Sequence, residues 1–236
     1  MSHRKLTSSP RQPNLSNVCF NQALEPQVSL SQFSTKERLL GAAEQLFAEH
    51  GFAATSLRQL TACADVNIAA VNYHFGSKEN LITEVFRRRF DELSARRLKL
   101  LHEAIARDAQ DLEAILAAFI VPAMQIGMEG EGAAFVRVVA RAYAEKNERL
   151  RQFLSDHYGH VLREFARAIQ HCLPALPKQD LYWRLDYIAG ALTYAMADFG
   201  LIRRQPGVSE QEHCALAADN LLRFAVAGLR APPALG

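Results

Sequence analysis

The stretch 55–78, Thr-Ser-Leu-Arg-Gln-Leu-Thr-Ala-Cys-Ala-Asp-Val-Asn-Ile-Ala-Ala-Val-Asn-Tyr-His-Phe-Gly-Ser-Lys, constrains this chain more than any other. It reads as two short helices joined by a tight turn, a stop, and the start of another helix. Thr55 can cap the first short helix, with Leu57 and Leu60 inward. Arg58 then stands where a capping box puts Glu or Gln, so that motif is half present. Asp65 and Val66 turn the chain, and Asn67 can cap the second short helix. Val71 and Phe75 face inward from it, while Ile68, Ala69, Ala70 and Asn72 decorate the other side. Gly76 stops it and Ser77 caps the next helix. A short helix with a small, polar outer face, braced by another across its back, can enter a DNA major groove.

The flanking sequence supplies the brace. Ser34 or Thr35 can cap a helix whose Leu39, Leu40, Ala43, Leu46 and Phe47 share one face. His50-Gly51 ends that helix. A long helix is expected from about Lys78 towards Arg107, and further helical patterns fall near 111–127, 132–145, 147–172, 178–203 and 210–229. Gly and Pro gather at the breaks between them. The expectation is an all-α protein of roughly nine helices: an N-terminal three-helix helix-turn-helix unit over 34–80 and a larger helical domain over 81–229. Residues 1–33, rich in Ser, Asn, Gln and Pro, read as a disordered tail, and 230–236 as a short C-terminal one.

Composition narrows the function. Net charge is only +2, and residues 1–34 account for it, so any DNA-binding field must come from local placement. Cys19, Cys63, Cys172 and Cys214 lie far apart without a CxxC, which offers neither a disulfide framework nor a zinc site. His157, His160, His171 and Cys172 lack the paired spacing of metal ligands, and a solvated helix face accounts for them. No metal and no cofactor are expected. No apolar run approaches the roughly 20 residues of a membrane span, and no secretory signal is visible, so a cytoplasmic protein is expected. No nucleophile elbow, phosphate loop, HExxH or paired glycine motif points to an enzyme.

The residues of the helix pair suit a nucleic acid. The helix N-termini at Thr55-Ser56 and at Asn67 present free backbone N–H groups to phosphate oxygens. Ser56 and Arg58 can add side-chain contacts. Tyr73 and His74, at the end of the second helix, can donate to phosphates, and Lys78 adds a charge. Ile68, Ala69, Ala70 and Asn72 lie where base edges would be; Ala and Ile suit thymine methyls, and Asn can pair with adenine.

The segment 35–81 closely resembles the DNA-binding domain of the TetR family of bacterial transcriptional regulators. The resemblance rests on Ala42-Ala43-Glu44-Gln45-Leu46-Phe47, Gly51-Phe52, Thr55-Ser56-Leu57-Arg58-Gln59-Leu60 and, above all, Val71-Asn72-Tyr73-His74-Phe75-Gly76-Ser77-Lys78-Glu79-Asn80-Leu81. It implies DNA contacts at the positions just named. Ala69-Ala70 and Asn72 depart from frequent family choices, which bears on which operator is read. The segment 176–191, with Phe135-Val-Arg137 before it, looks like the subgroup of these regulators that answers to fatty acids or acyl-CoA thioesters.

The resemblance also implies a dimer built from the last two helices. Leu181, Leu185, Ile188, Leu192, Met196, Phe199 and Ile202 recur at helical steps in one, and Ala217, Ala218, Leu221, Leu222 and Ala225 in the other. Leu192, Phe199, Ala218, Leu221, Leu222 and Ala225 are the candidate seam. Phe119, Met124, Phe135, Trp183, Tyr187 and Tyr194 are candidate walls of a ligand pocket. Arg137 and Arg184 stand in apolar company, where a guanidinium needs a ligand carboxylate or an internal acid such as Asp186, Asp198 or Glu164. The reading is a homodimeric, ligand-responsive regulator, a repressor that a small apolar or amphiphilic effector releases from double-stranded operator DNA. The alternatives are a helical adaptor, or an acyl-binding protein without sequence-specific DNA binding.

Overall fold

The computed structural model describes residues 33–127, 132–197 and 202–233. Among these residues there are nine helices and no strand: α1 (Thr35–His50), α2 (Leu57–Cys63), α3 (Ile68–Phe75), α4 (Lys78–Arg107), α5 (Leu112–Ile126), α6 (Gly132–Ala144), α7 (Glu148–Cys172), α8 (Lys178–Met196) and α9 (Glu210–Arg230). The expected N-terminal tail up to residue 32, the seam residue Phe199 and the candidate acid Asp198 lie outside the described residues.

Side chains set the helix starts. Ser34 and Glu37 form a full capping box at α1. Asn67 caps α3 through a 2.9 Å bond from the Ala69 N–H, and Ser77 caps α4. At α2 the cap is Ser56, not Thr55: the Ser56 and Gln59 side chains close a complete box. Thr55 is buried, and its hydroxyl donates to the Gly51 carbonyl at 2.8 Å. The expected half box on Thr55 and Arg58 was therefore one residue out of register. α8 also ends earlier than expected, at Met196; Ile202 and Arg203 are not helical, and Pro206 with Gly207 (φ 87°) turns the chain into α9.

Two apolar cores result. One joins α1–α3 to the first turns of α4 and takes in Phe135, Val138 and Leu150 from α6 and α7. The other joins the rest of α4 to α5, α7, α8 and α9. At 30 residues, α4 is ~45 Å long at 1.5 Å per residue and belongs to both. Glu44 of α1, 2 % exposed, meets Arg89 of α4 at 3.3 Å inside the joint.

The Phe52 peptide is gripped from both sides. Its N–H donates to Glu145 Oε1, just past α6, at 3.0 Å, and its carbonyl accepts from the Lys78 ammonium at the start of α4. Gly51 makes this possible: its φ is +83°, and a Cβ there would sit 2.2 Å from the same Glu145 oxygen. Arg141 of α6 adds a 3.2 Å bond to the Glu49 carbonyl.

Candidate functional site

α3 is anchored by only two buried side chains, Val71 and Phe75. At 3.6 residues per turn these hold one face on the core and turn the remainder outward. Asn67, Ile68, Ala69, Asn72, Tyr73 and His74 are exposed, and Ala70 is half-buried. Tyr73 is 85 % exposed, with its ring edge-on to His74 at 5.0 Å. Ser56 and Arg58 are exposed at the start of α2. The outer face thus brings together a phenol, an imidazole, an amide, a guanidinium and two helix N-termini, and its centre is small and apolar.

Two expected members sit differently. Thr55 has no hydroxyl to offer a phosphate, since burial and the Gly51 carbonyl have taken it. Lys78 is half-buried and spends one of its three donors on Phe52, so it tethers the unit as well as facing outward. Asn80 was not expected: it accepts from Arg149 of α7 at 3.0 Å and donates to the Phe75 carbonyl at 2.9 Å, tying the end of α3 to the larger helical half.

The larger half corrects several expectations. Phe135, 1 % exposed, packs against Phe86 and Phe90 in the joint, so it is no pocket wall. Arg137 is exposed, because its neighbouring valines lie on other faces of α6. Arg184 serves α9: its guanidinium donates to the carbonyls of Gly228, Leu229, Ala231 and Pro232 at 2.7–2.9 Å, with Asp180 at 3.7 Å. It satisfies carbonyls left open at a helix end. Trp183, Tyr187 and Tyr194 are 55 %, 64 % and 50 % exposed, on the outside of α8.

The seam residues divide the other way. Leu192, Ala218, Leu221 and Ala225 are buried within the protomer, and Leu222 is half-buried. The large apolar groups that α9 turns outward are Leu216 and Phe224. Periodicity showed two stripes on these helices and did not show which one the protomer itself consumes.

A cavity of about 530 Å³ opens between α4, α5 and α9, with Met124 on its wall. Phe119 lies elsewhere, under the Arg97 guanidinium at 3.8 Å from its ring centroid and edge-on to Phe165. Arg97 Nε donates to the Phe119 carbonyl at 2.8 Å, and loss of hydration pulls this guanidinium down to about 9, still charged at neutral pH. Sequence pattern singled out neither Arg97 nor its neighbour Arg96, on the cavity wall. Among the described residues no group of three or more His, Cys, Asp or Glu could hold a metal, and no helix is long and apolar enough to cross a membrane.

A braced two-helix reader carried on an all-α body defines a helix-turn-helix transcriptional regulator. Residues 39–85 match the family described as bacterial regulatory proteins, tetR family, and residues 117–228 match the tetracyclin repressor-like C-terminal domain. The two matches cover about two thirds of the chain, which belongs to the TetR family of transcriptional regulators. It is 41 % identical over 70 residues to the HTH-type transcriptional repressor Rv3405c of Mycobacterium tuberculosis, covering 30 % of this chain and 35 % of that one. It is 43 % identical over 56 residues to the HTH-type transcriptional dual regulator CecR of Shigella flexneri, covering 24 % and 25 %. The chain thus spans about a third or less of the length of these curated relatives. The fatty acid degradation regulator FadR from Bacillus halodurans has a similar fold, with a TM-score of 0.58, 17 % identity, and coverage of 85 % of this chain and 98 % of that one.

Proposed function

We propose that this protein is a homodimeric repressor that binds a two-fold operator through α2 and α3 and is released by a small apolar or amphiphilic ligand such as a fatty acid or acyl-CoA. The observation that carries the DNA-binding part is the outer face of α3, where Asn72, Tyr73 and His74 stand exposed on a helix anchored only by Val71 and Phe75. Ile68, Ala69, Ala70 and Asn72 meet base edges; Ser56, Arg58, Asn67, Tyr73, His74 and Lys78 meet phosphates. Half-sites about 34–36 Å apart require two copies of the reader. The exposed stripes Trp183–Tyr187–Tyr194 on α8 and Leu216–Phe224 on α9 are the surfaces that support pairing.

The effector part rests on the resemblance of 176–191 to acyl-responsive regulators and on a cavity bounded by α4, the helix that also belongs to the reader's core. Ligand and DNA would weaken each other by the same factor. Fluorescence anisotropy with DNA from upstream of the gene tests the reading. Saturable, salt-sensitive binding to one palindrome, reversed by acyl ligands, is expected. Absence of sequence preference would return the adaptor or acyl-binding alternative.

A further inference from the structure

With only Val71 and Phe75 on the core, α3 takes its tilt from whatever fixes the ends of the α2–α3 unit. The turn between the two helices is fixed from α1, where Arg38 donates to the Asp65 carbonyl at 3.3 Å. The two outer ends are fixed from the corner between α6 and α7. Glu145 accepts from the Phe52 N–H, shortly before Ser56 caps α2. Arg149 donates to Asn80, whose amide in turn donates to the carbonyl of Phe75, the last residue of α3. We infer that Glu145 and Arg149 are positioning residues for operator reading. Without touching DNA they set where α2 begins and where α3 ends, and Asn80 carries the second constraint to α3. The inference rests on the proposed reading of DNA through α2 and α3, and is independent of effector and of pairing.

Three observations carry it. The corner is itself stiff: Lys146 stands at φ 47°, a conformation that a lysine keeps only where its surroundings impose it. Asn147 then caps α7 through a 3.0 Å bond from the Leu150 N–H, and Leu150 is buried in the core shared with the reader. Next, each tie meets a backbone group that is otherwise left open. Phe52 is buried and its N–H belongs to no helix, so without Glu145 the loop before α2 must shift to bring that donor to water. The Phe75 carbonyl lies in the last turn of α3, where helical partners run out. Finally, Glu145 and Arg149 are both exposed, so truncating them removes a tie and not apolar packing. Discrimination is where a lost tie shows. Base contacts need the reading helix held within about 0.5 Å of its productive place, whereas the phosphate attraction behind non-specific binding tolerates a tilt.

The test uses the full chain, an operator that the parent selects from random DNA, and a scrambled duplex of the same length, with anisotropy at graded salt. Glu145→Ala, Arg149→Met and Asn80→Ala are each expected to weaken operator binding about fivefold, the step of one hydrogen bond, and to leave the scrambled duplex within about twofold. Partial unfolding lowers both affinities together, so their ratio reads position and not stability. Glu145→Gln, which keeps an acceptor oxygen, should restore most of the ratio. Asn80→Asp still accepts from Arg149 but cannot donate to Phe75, and its ratio should match that of Asn80→Ala. Arg149→Met and Asn80→Ala combined should cost no more than either alone, because they interrupt one chain of bonds. Ratios unchanged from the parent overturn the inference and leave the DNA reading standing. Equal losses on both duplexes, with a salt slope lower by about one for Arg149→Met, make Arg149 a phosphate contact and overturn its positioning role. A parent that selects no sequence overturns the DNA reading and the inference with it.

Discussion

α3 and α9 both turn side chains to the outside, under opposite rules. α3 keeps two buried anchors and exposes amide, phenol, imidazole and small apolar groups. α9 buries Ala218, Leu221, Ala225 and Leu229 and still exposes Leu216 and Phe224, at 59 % and 66 %. The first face is stable in water and gains by meeting a polyanion. The second leaves large apolar area wet, which marks a surface for protein contact. Exposure alone assigns neither role; the chemistry of the exposed set does.

The strongest way to break this comparison is on α9 itself. Leu221→Arg places a charge on the inner stripe and should cost on the order of 3 kcal/mol of stability, measured by chemical denaturation. Phe224→Arg places the same charge on the outer stripe. It should leave the circular dichroism spectrum unchanged and convert the proposed dimer to monomer in sedimentation. If both variants unfold, or Phe224→Arg still pairs with undiminished affinity, the outer stripe is not the seam. On α3, Asn72→Ala should lose ~1–3 kcal/mol of discrimination at one base pair per half-site, read by binding-site selection. An unchanged consensus would remove Asn72 from the reading face.

Smaller effects separate positioning from reading. Tyr73→Phe should weaken all DNA sequences about equally, by about 1 kcal/mol, the size of one hydrogen bond. Lys78→Ala should lower the salt slope by about one phosphate and also lower the melting temperature, because the ammonium holds the Phe52 carbonyl. A purely electrostatic Lys78 would leave melting untouched. The smallest effect concerns the capping boxes. The Ser34 hydroxyl and backbone hold the Glu37 carboxyl below its ordinary 4.5. A depressed carboxylate contributes stability above that value and loses it as pH falls through the lowered one. The stability gap between the parent and Glu37→Gln should therefore be present at neutral pH and close in acid; a gap independent of pH would assign it to packing.

Local signals were legible and long-range ones were not. Ser34, Asn67, Gly76 and Ser77 announced helix ends because caps are chemistry between near neighbours. The Ser56 box was equally local, with Gln59 three residues on, and choosing Thr55 missed it. The outer face of α3 followed from Val71 and Phe75 at a four-residue step. In α8, by contrast, Leu181, Leu185, Ile188 and Leu192 face in, and Trp183, Tyr187 and Tyr194 face out. Both sets repeat at helical spacing, and aromatic size pointed to the wrong one for the interior. Arg184 stands beside Trp183 along the chain, while its true company is the end of α9, more than 40 residues away. Apolar company along the chain is not apolar company in space.

The grip on the Phe52 peptide bears on how such regulators can be recombined. A chimera cut at residue 80 would carry Gly51, Phe52 and Lys78 to a foreign sensor but leave behind Glu145, Arg141 and Arg149. The grafted reader would keep its own helices and its DNA chemistry. It would lose the bonds that these three residues make to Phe52, Glu49 and Asn80. On the proposed effector-released reading, such a hybrid should bind DNA and not be released by ligand. A working exchange would have to transplant the acceptor at position 145 together with the glycine that makes room for it.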